Sequence, residues 1–385
     1  MTLNKHYIRL IVLAGIVLAA GCEGTVEDEA VVEQDQDYED GERVRCNDNP
    51  PLLPEIDGHQ ICPNRITAIV DGERMKVPYC RNYPLAARNR CVDRAVVVIH
   101  GSKRNALRYY NRTLGPALEA QSAGNTIIIA PQFVTEEEID TFELGDNHLF
   151  WSSGGWKSGS LSKSSDNNPR SVRYSSYSVV DDILTRLKNR RKFPKLQEIV
   201  VVGHSAGGQF VNRFAAGSPV EVGSRNIRYV VTNPSSYMYF TPERRVEGTL
   251  DQFAVPDTTS CPEYNEYKYG LDDLYTYMAT TGGDQMVAQY PERDVVYFLG
   301  SEDNDPNSSS LDTRCQAQLQ GAHRLERGHI YYNHVQQVFG AQITQRHIKS
   351  IVPGVGHSST GMFASECGMR YLFDYNPNQA PCRDL

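Results

Sequence analysis

Gly203-His204-Ser205-Ala206-Gly207 sets a serine between two glycines, after the β-branched run Ile199-Val200-Val201-Val202 and before a stretch carrying Phe210, Val211, Phe214 and Ala215. The pentapeptide alone recurs by chance. A strand, this turn and then a helix is the setting that exposes a serine hydroxyl on a strained turn, with the glycines letting the helix approach the strand. The bland alternative is a Gly-rich strand-to-helix turn without chemistry. A serine so placed becomes a nucleophile when a base is within reach. His357 is the candidate base, on the loop Pro353-Gly354-Val355-Gly356-His357 after the last apolar run. A carboxylate that orients the imidazole would complete the set. Glu302, Asp303 and Asp305 all follow the run 295–299, and residue chemistry alone leaves the three open.

With these motifs in this order the chain resembles the α/β-hydrolase superfamily, in its secreted bacterial serine esterase, lipase and polyester-depolymerase branch, over roughly residues 66–374. The resemblance implies Ser205 as nucleophile and His357 as base. Asp303 stands three residues after Gly300, like the acid in the family's G-x-x-D arrangement, with Asp305 and Glu302 as close competitors. An oxyanion hole needs two backbone N–H groups aimed at the developing charge. Ala206, next after the nucleophile, would supply one; His100-Gly101-Ser102-Lys103 resembles the family's His-Gly turn and makes Ser102 the other. The implied reaction is hydrolysis of a small-molecule or polymeric carboxylic ester through an acyl-enzyme, without a cofactor. Peptide cleavage and acyl transfer stay open on the same triad, as does a catalytically silent binding lipoprotein that keeps the scaffold.

The elements that must position these residues are legible as periodicity. Continuous apolar, β-branched runs at 95–99, 126–130, 199–202, 229–232, 295–299 and 347–352 read as strands buried on both faces. Residues 66–70 and 75–79 flank Asp71-Gly72, which predicts an antiparallel hairpin at the leading edge. Val179, Val180, Ile183, Leu184 and Leu187 recur at helical spacing, with Asp181, Arg186 and Lys188 facing away. The alternation predicts an α/β fold: a mostly parallel central sheet with helices on both faces. Two segments, 133–175 and 237–293, interrupt it as lid-like insertions. They carry Trp151, Trp156 and Tyr237, which either line a substrate wall or pack the insertions onto the sheet. His100 and His204 read as structural, and His323, His329 and His334 as solvated residues of a helical stretch.

Residues 1–21 read as a signal peptide: Lys5 and Arg9, then an apolar run too short to span a bilayer. Leu18-Ala19-Ala20-Gly21-Cys22 resembles a bacterial lipobox, departing from it in that Leu18 lies four rather than three places before the cysteine. Cys22 is thus the candidate lipidation site, and residues 22–45 are the lipidated cysteine and a disordered acidic linker, with ten acidic and no basic residues over 23–42. Residues 46–385 form the catalytic domain. With the linker's ten acids and the two leader cations set aside, the formal −8 leaves residues 43–385 at zero net charge. Such a domain has no basic footprint for nucleic acid. Eight of the nine cysteines remain once Cys22 is assigned, and an even number in an exported chain reads as disulfides. Local pairs such as Cys80 with Cys91 and Cys367 with Cys382 are among the possible connectivities. No cysteine–histidine spacing points to a metal, although Asp303, Asp305, Asn307 and Ser309 faintly echo a Ca²⁺ loop without its glycine and terminal glutamate. The chain is therefore expected to be exported and lipid-anchored in the bacterial cell envelope, at the outer membrane, or else secreted, touching a membrane through its N-terminal lipid only.

Overall fold

Every apolar run read above as a strand joins one sheet. The computed structural model describes residues 44–56, 60–221, 223, 225–379 and 382; the signal peptide, Cys22 and the acidic linker up to residue 43 lie outside the described residues. The sheet contains β1 (Asn64–Val70), β2 (Glu73–Arg81), β3 (Arg94–Ile99), β4 (Thr126–Pro131), β5 (Glu198–His204) and β6 (Asn226–Thr232). A two-residue ladder of β7 (Arg244–Arg245) and β8 (Phe253–Ala254) stands apart from it. The last strands of the main sheet are β9 (Asp294–Gly300) and β10 (His347–Val352), and its order is β1-β2-β4-β3-β5-β6-β9-β10. Pairing is antiparallel where β2 meets β1 and β4, and parallel elsewhere. Asp71 and Gly72, with φ of 48° and 86°, make the turn of the leading hairpin, a conformation in which both central residues need positive φ.

Successive strand residues point to opposite faces, and the core divides accordingly. Val97, Val201, Val231 and Tyr297 face α3 (Ser176–Lys188), α4 (Ala206–Gly217) and α8 (Arg324–Phe339). Val96, Val200, Val230 and Phe298 face α1 (Ala106–Glu119), α9 (Ser359–Ala364) and α10 (Glu366–Phe373). Both faces are thus covered, which is why the central strands carry no polar alternation. The shorter helices α2 (Glu136–Thr141), α5 (Thr276–Thr281), α6 (Gly283–Gln289) and α7 (Cys315–Gln318) belong to the connections. Because the central strands run parallel, the loops after β3, β5, β9 and β10 leave from one edge of the sheet, where open α/β sheets hold their ligands.

Four disulfides close the chain: Cys46–Cys91, Cys62–Cys80, Cys261–Cys315 and Cys367–Cys382. The pair Cys367–Cys382 is as expected, whereas Cys80 joins Cys62 and not Cys91. The register of β1 on β2, Asn64 opposite Tyr79, carries the residues before β1 alongside Cys80 and leaves Cys91 to Cys46. Disulfides of this number belong to a chain that matures in an oxidising compartment, as exported proteins do. Among the described residues no helix is long and apolar enough to cross a membrane. His334 departs from its expected solvation: it is buried on α8 against the Tyr239 ring at 4.4 Å, because the helix presents this face to the second insertion.

Candidate active site

Ser205 follows directly on β5 with φ 60° and ψ −117°, a backbone conformation that costs energy for any residue with a Cβ. The surroundings hold it there. Its N–H donates to the Thr232 carbonyl of β6 at 2.9 Å, and its own carbonyl accepts from Gln209 as α4 begins. A Cβ on Gly203 would sit 2.2 Å from the Gly207 carbonyl oxygen, and one on Gly207 would sit 2.3 Å from that of Ile99. The two glycines of the pentapeptide are therefore needed for α4 to cross β3 and β5 in backbone contact.

His357 reaches this serine from the loop after β10. Its Nε2 lies 2.9 Å from Ser205 Oγ, and its Nδ1 lies 2.7 Å from Asp303 Oδ2. A carboxylate oxygen only accepts, so Nδ1 carries the proton and Nε2 is left to accept from the serine hydroxyl. The two loops that bring acid and histidine together are laced to one another. Ser301 N–H donates to Val352, Glu302 N–H to Val355, and Gly354 N–H to Ser301 Oγ. Gly300 permits the approach, since a Cβ there would fall 2.2 Å from the Val355 carbonyl.

Of the three candidate acids, Asp303 is the one turned inward, with only 5% of it exposed. Its second oxygen, Oδ1, lies 3.3 Å from Arg324 Nη1, and Arg324 is itself 1% exposed. That guanidinium donates further to Ser308 and Ser310. Asp305 is exposed and folds back to accept from Asn307 N–H at 2.9 Å, while Glu302 faces solvent. The alternating oxygens of this loop thus diverge, and among the described residues no group of three or more His, Cys, Asp or Glu gathers as a metal site. Arg324 escaped the sequence reading, because nothing in a lone arginine at the start of a helix marks it as the partner of a carboxylate twenty-one residues earlier.

His100 and His204 brace the site from either side. His100 Nε2 accepts from Phe133 N–H at 3.0 Å, which leaves its proton on Nδ1 to donate to the Gly101 carbonyl at 2.9 Å. This fixes the loop that carries Ser102, whose N–H, like that of Ala206, donates to no group among the described residues. The His204 ring lies 4.5 Å from that of His357, with Nδ1 at 3.3 Å from the Tyr109 hydroxyl. Burial, and then the charges of His357, Arg324 and Arg112, hold His204 far below the usual imidazole range, so it stays neutral.

The aromatic residues considered for a substrate wall do not reach the site. Trp151, Trp156 and Tyr237 are 1%, 0% and 0% exposed and belong to the core on the α4 face. Trp151 Nε1 donates to the Tyr174 carbonyl, Trp156 stacks on Phe133 at 5.8 Å, and Tyr237 stacks on Tyr331 at 4.3 Å. Large rings on long connections are the cheapest apolar area for packing them down, and here that role prevails. The cleft over Ser205 and His357, about 370 Å³, is instead walled by Lys103, Arg108, Arg112 and the hydroxyls of Ser310, Ser358 and Ser359.

A scan against protein-family models finds no match, and no curated protein matches the chain by sequence. Among solved structures the chain is similar to LpqC, a poly(3-hydroxybutyrate) depolymerase from Bordetella parapertussis. That likeness has a TM-score of 0.52 and 21% identity over 82% of this chain and 91% of the other. It is also similar to poly(aspartic acid) hydrolase-1 from Sphingomonas sp. KT-1, with a TM-score of 0.51 and 23% identity over 81% of this chain and 100% of the other. At these identities the likeness shows the architecture, and the fold is that of the α/β-hydrolases.

Proposed function

We propose that the chain is a serine hydrolase that cleaves carboxylic esters through an acyl-enzyme. What supports the reading above all is the unbroken line of hydrogen bonds from Asp303 through His357 to Ser205 at the strained turn after β5. In this mechanism Ser205 Oγ attacks the ester carbonyl while His357 Nε2 takes its proton. Asp303 holds the imidazole in the productive tautomer and stabilises the imidazolium. The N–H groups of Ala206 and Ser102 receive the oxyanion. His357 then returns the proton to the leaving alcohol, and water, deprotonated by the same Nε2, releases the acid. A silent binding protein on this scaffold would need neither the serine nor the base. Fluorophosphonate labelling separates the two readings: the wild type should be labelled at one serine per chain, and Ser205→Ala should lose both labelling and ester turnover. An unlabelled wild type, or a variant labelled as before, would rule the mechanism out.

The localisation is a separate part of the proposal and rests on the lipobox-like run Leu18-Ala19-Ala20-Gly21-Cys22. The exported chain is anchored by a lipid on Cys22, since the residues that follow it offer no apolar face to a bilayer. Cys22→Ser should move the protein from the membrane to the soluble fraction, and membrane retention after normal signal cleavage would contradict the anchor.

A further inference from the structure

The walls of the cleft say more about the ester than the triad does. Three of its lining side chains are cationic, none is a carboxylate, and none is aliphatic. A cleft for a fatty acyl or aryl chain would be mostly apolar with a few polar groups for orientation. Two of the cations, Arg108 and Arg112, stand one turn apart on α1, a like-charge spacing that disfavours the helix unless something offsets it. For Arg108 the offset is internal, since its Nε lies 3.0 Å from Glu55 Oε2. Arg112 has no such partner. Its Nη1 donates to Ser359 Oγ at 2.7 Å and the guanidinium sits over the Tyr109 ring at 5.9 Å, but its Nε and Nη2 edge meets no acceptor among the described residues. Lys103, exposed on the loop that carries Ser102, likewise faces no carboxylate among the described residues. The first turns of α1 and α4 open beside the cleft without an acidic residue in either, which adds to the positive potential there.

From this arrangement we infer that the substrate is a carboxylate-bearing ester, such as a half-ester of a dicarboxylic acid or a carboxylate-terminated oligoester, whose carboxylate Arg112 binds with Lys103 beside it. The inference rests on the hydrolase reading for the word ester and on the cleft alone for the word carboxylate. Ser359 fixes one arm of the Arg112 fork, and the remaining Nε and Nη2 edge matches the two oxygens of a carboxylate. Because the cleft is open to solvent, the attraction is partly screened and should weaken as salt is raised.

The test uses two pairs of esters matched except for charge. 4-Carboxyphenyl butyrate is set against 4-carbamoylphenyl butyrate, and the 4-nitrophenyl monoester of adipic acid against that of adipamic acid. Turnover is measured with the wild type, and binding is measured by calorimetry with Ser205→Ala. Preference for the charged member of at least one pair by about tenfold or more is expected, carried by KM and falling between low and high salt. Arg112→Gln should reduce that ratio to about two or less, whereas Arg74→Gln, on the exposed leading hairpin, should leave it as it is. Equal treatment of charged and neutral members in both pairs, or a preference that survives in Arg112→Gln, would overturn the inference. Binding that favours the carboxylate without turnover of any ester would overturn the hydrolase reading and leave the anion site standing.

Discussion

Asp303 serves two donors at once: one oxygen receives the His357 Nδ1 proton and the other faces the Arg324 guanidinium in a nearly dry environment. Substituting Asn would leave an amide that can offer an acceptor to only one of them. If the oxygen stays with Arg324, the amide NH₂ turns to His357 and selects the wrong tautomer. Asp303→Asn is therefore expected to lower kcat by several orders of magnitude and to slow phosphonate labelling while leaving its final stoichiometry intact. Some loss of stability should accompany it, since Arg324 is left without its counter-charge. Asp305→Asn should be near wild type in both respects, because Asp305 is exposed and only caps a local turn. Labelling rates of the two purified variants decide the matter; a slow Asp305→Asn beside a normal Asp303→Asn would move the role. The turn that presents Ser205 and the loop that presents His357 were legible in the sequence because their motifs are local. The choice among Glu302, Asp303 and Asp305 was not, since it depends on which way a loop turns against the loop after β10.

At the scale of elements, the sequence was most informative where one periodicity served one environment. Strands buried on both faces must be continuously apolar, and each such run became a strand of the main sheet. The hairpin was marked by Asp71-Gly72, whose φ values few other dipeptides take as readily. The insertions were the least legible, because an aromatic residue on a long connection satisfies the same pattern whether it faces a ligand or the core. Trp156 went inward to stack on Phe133 and abut His100 at 4.4 Å, so the first insertion buttresses the loop bearing Ser102 from below. Cysteine pairing was opaque for a related reason: the partner of Cys80 is set by strand register, and sequence proximity favoured Cys91 instead. The cations of the cleft carried a signal that composition hides. The folded region is neutral as a whole, yet Arg108 and Arg112 share one face of α1 at the site, and only the packing of that helix gives their spacing a meaning.

At the scale of the whole molecule, the disulfides bind the periphery while the buried histidines should set its response to acid. Cys261–Cys315 ties the second insertion to the connection between β9 and α8, which carries Asp303, and Cys367–Cys382 secures the tail against α10. Among the described residues four buried histidines are held below the ordinary range, in each case chiefly by burial: His148 and His347 to about 4, His334 to about 3, and His204 well below it. In the unfolded chain they titrate near about 6.5, so between that pH and about 4 the unfolded state binds more protons and stability falls as pH falls. Asp181 works the other way. Burial raises it to about 6, so the folded state takes up a proton in the same window and offsets part of the loss. With four imidazoles outweighing the buried carboxyls that titrate the other way, stability should drop by several kcal/mol between pH 7 and pH 5. Urea unfolding at the two pH values measures the drop directly. His334→Gln keeps an acceptor for the Phe240 N–H that His334 Nε2 now receives, and should shrink the gap between the two pH values by about a third whatever it does to stability at pH 7. A wild type equally stable at both values, or a gap unchanged in His334→Gln, would show that these imidazoles are not what makes the fold sensitive to acid.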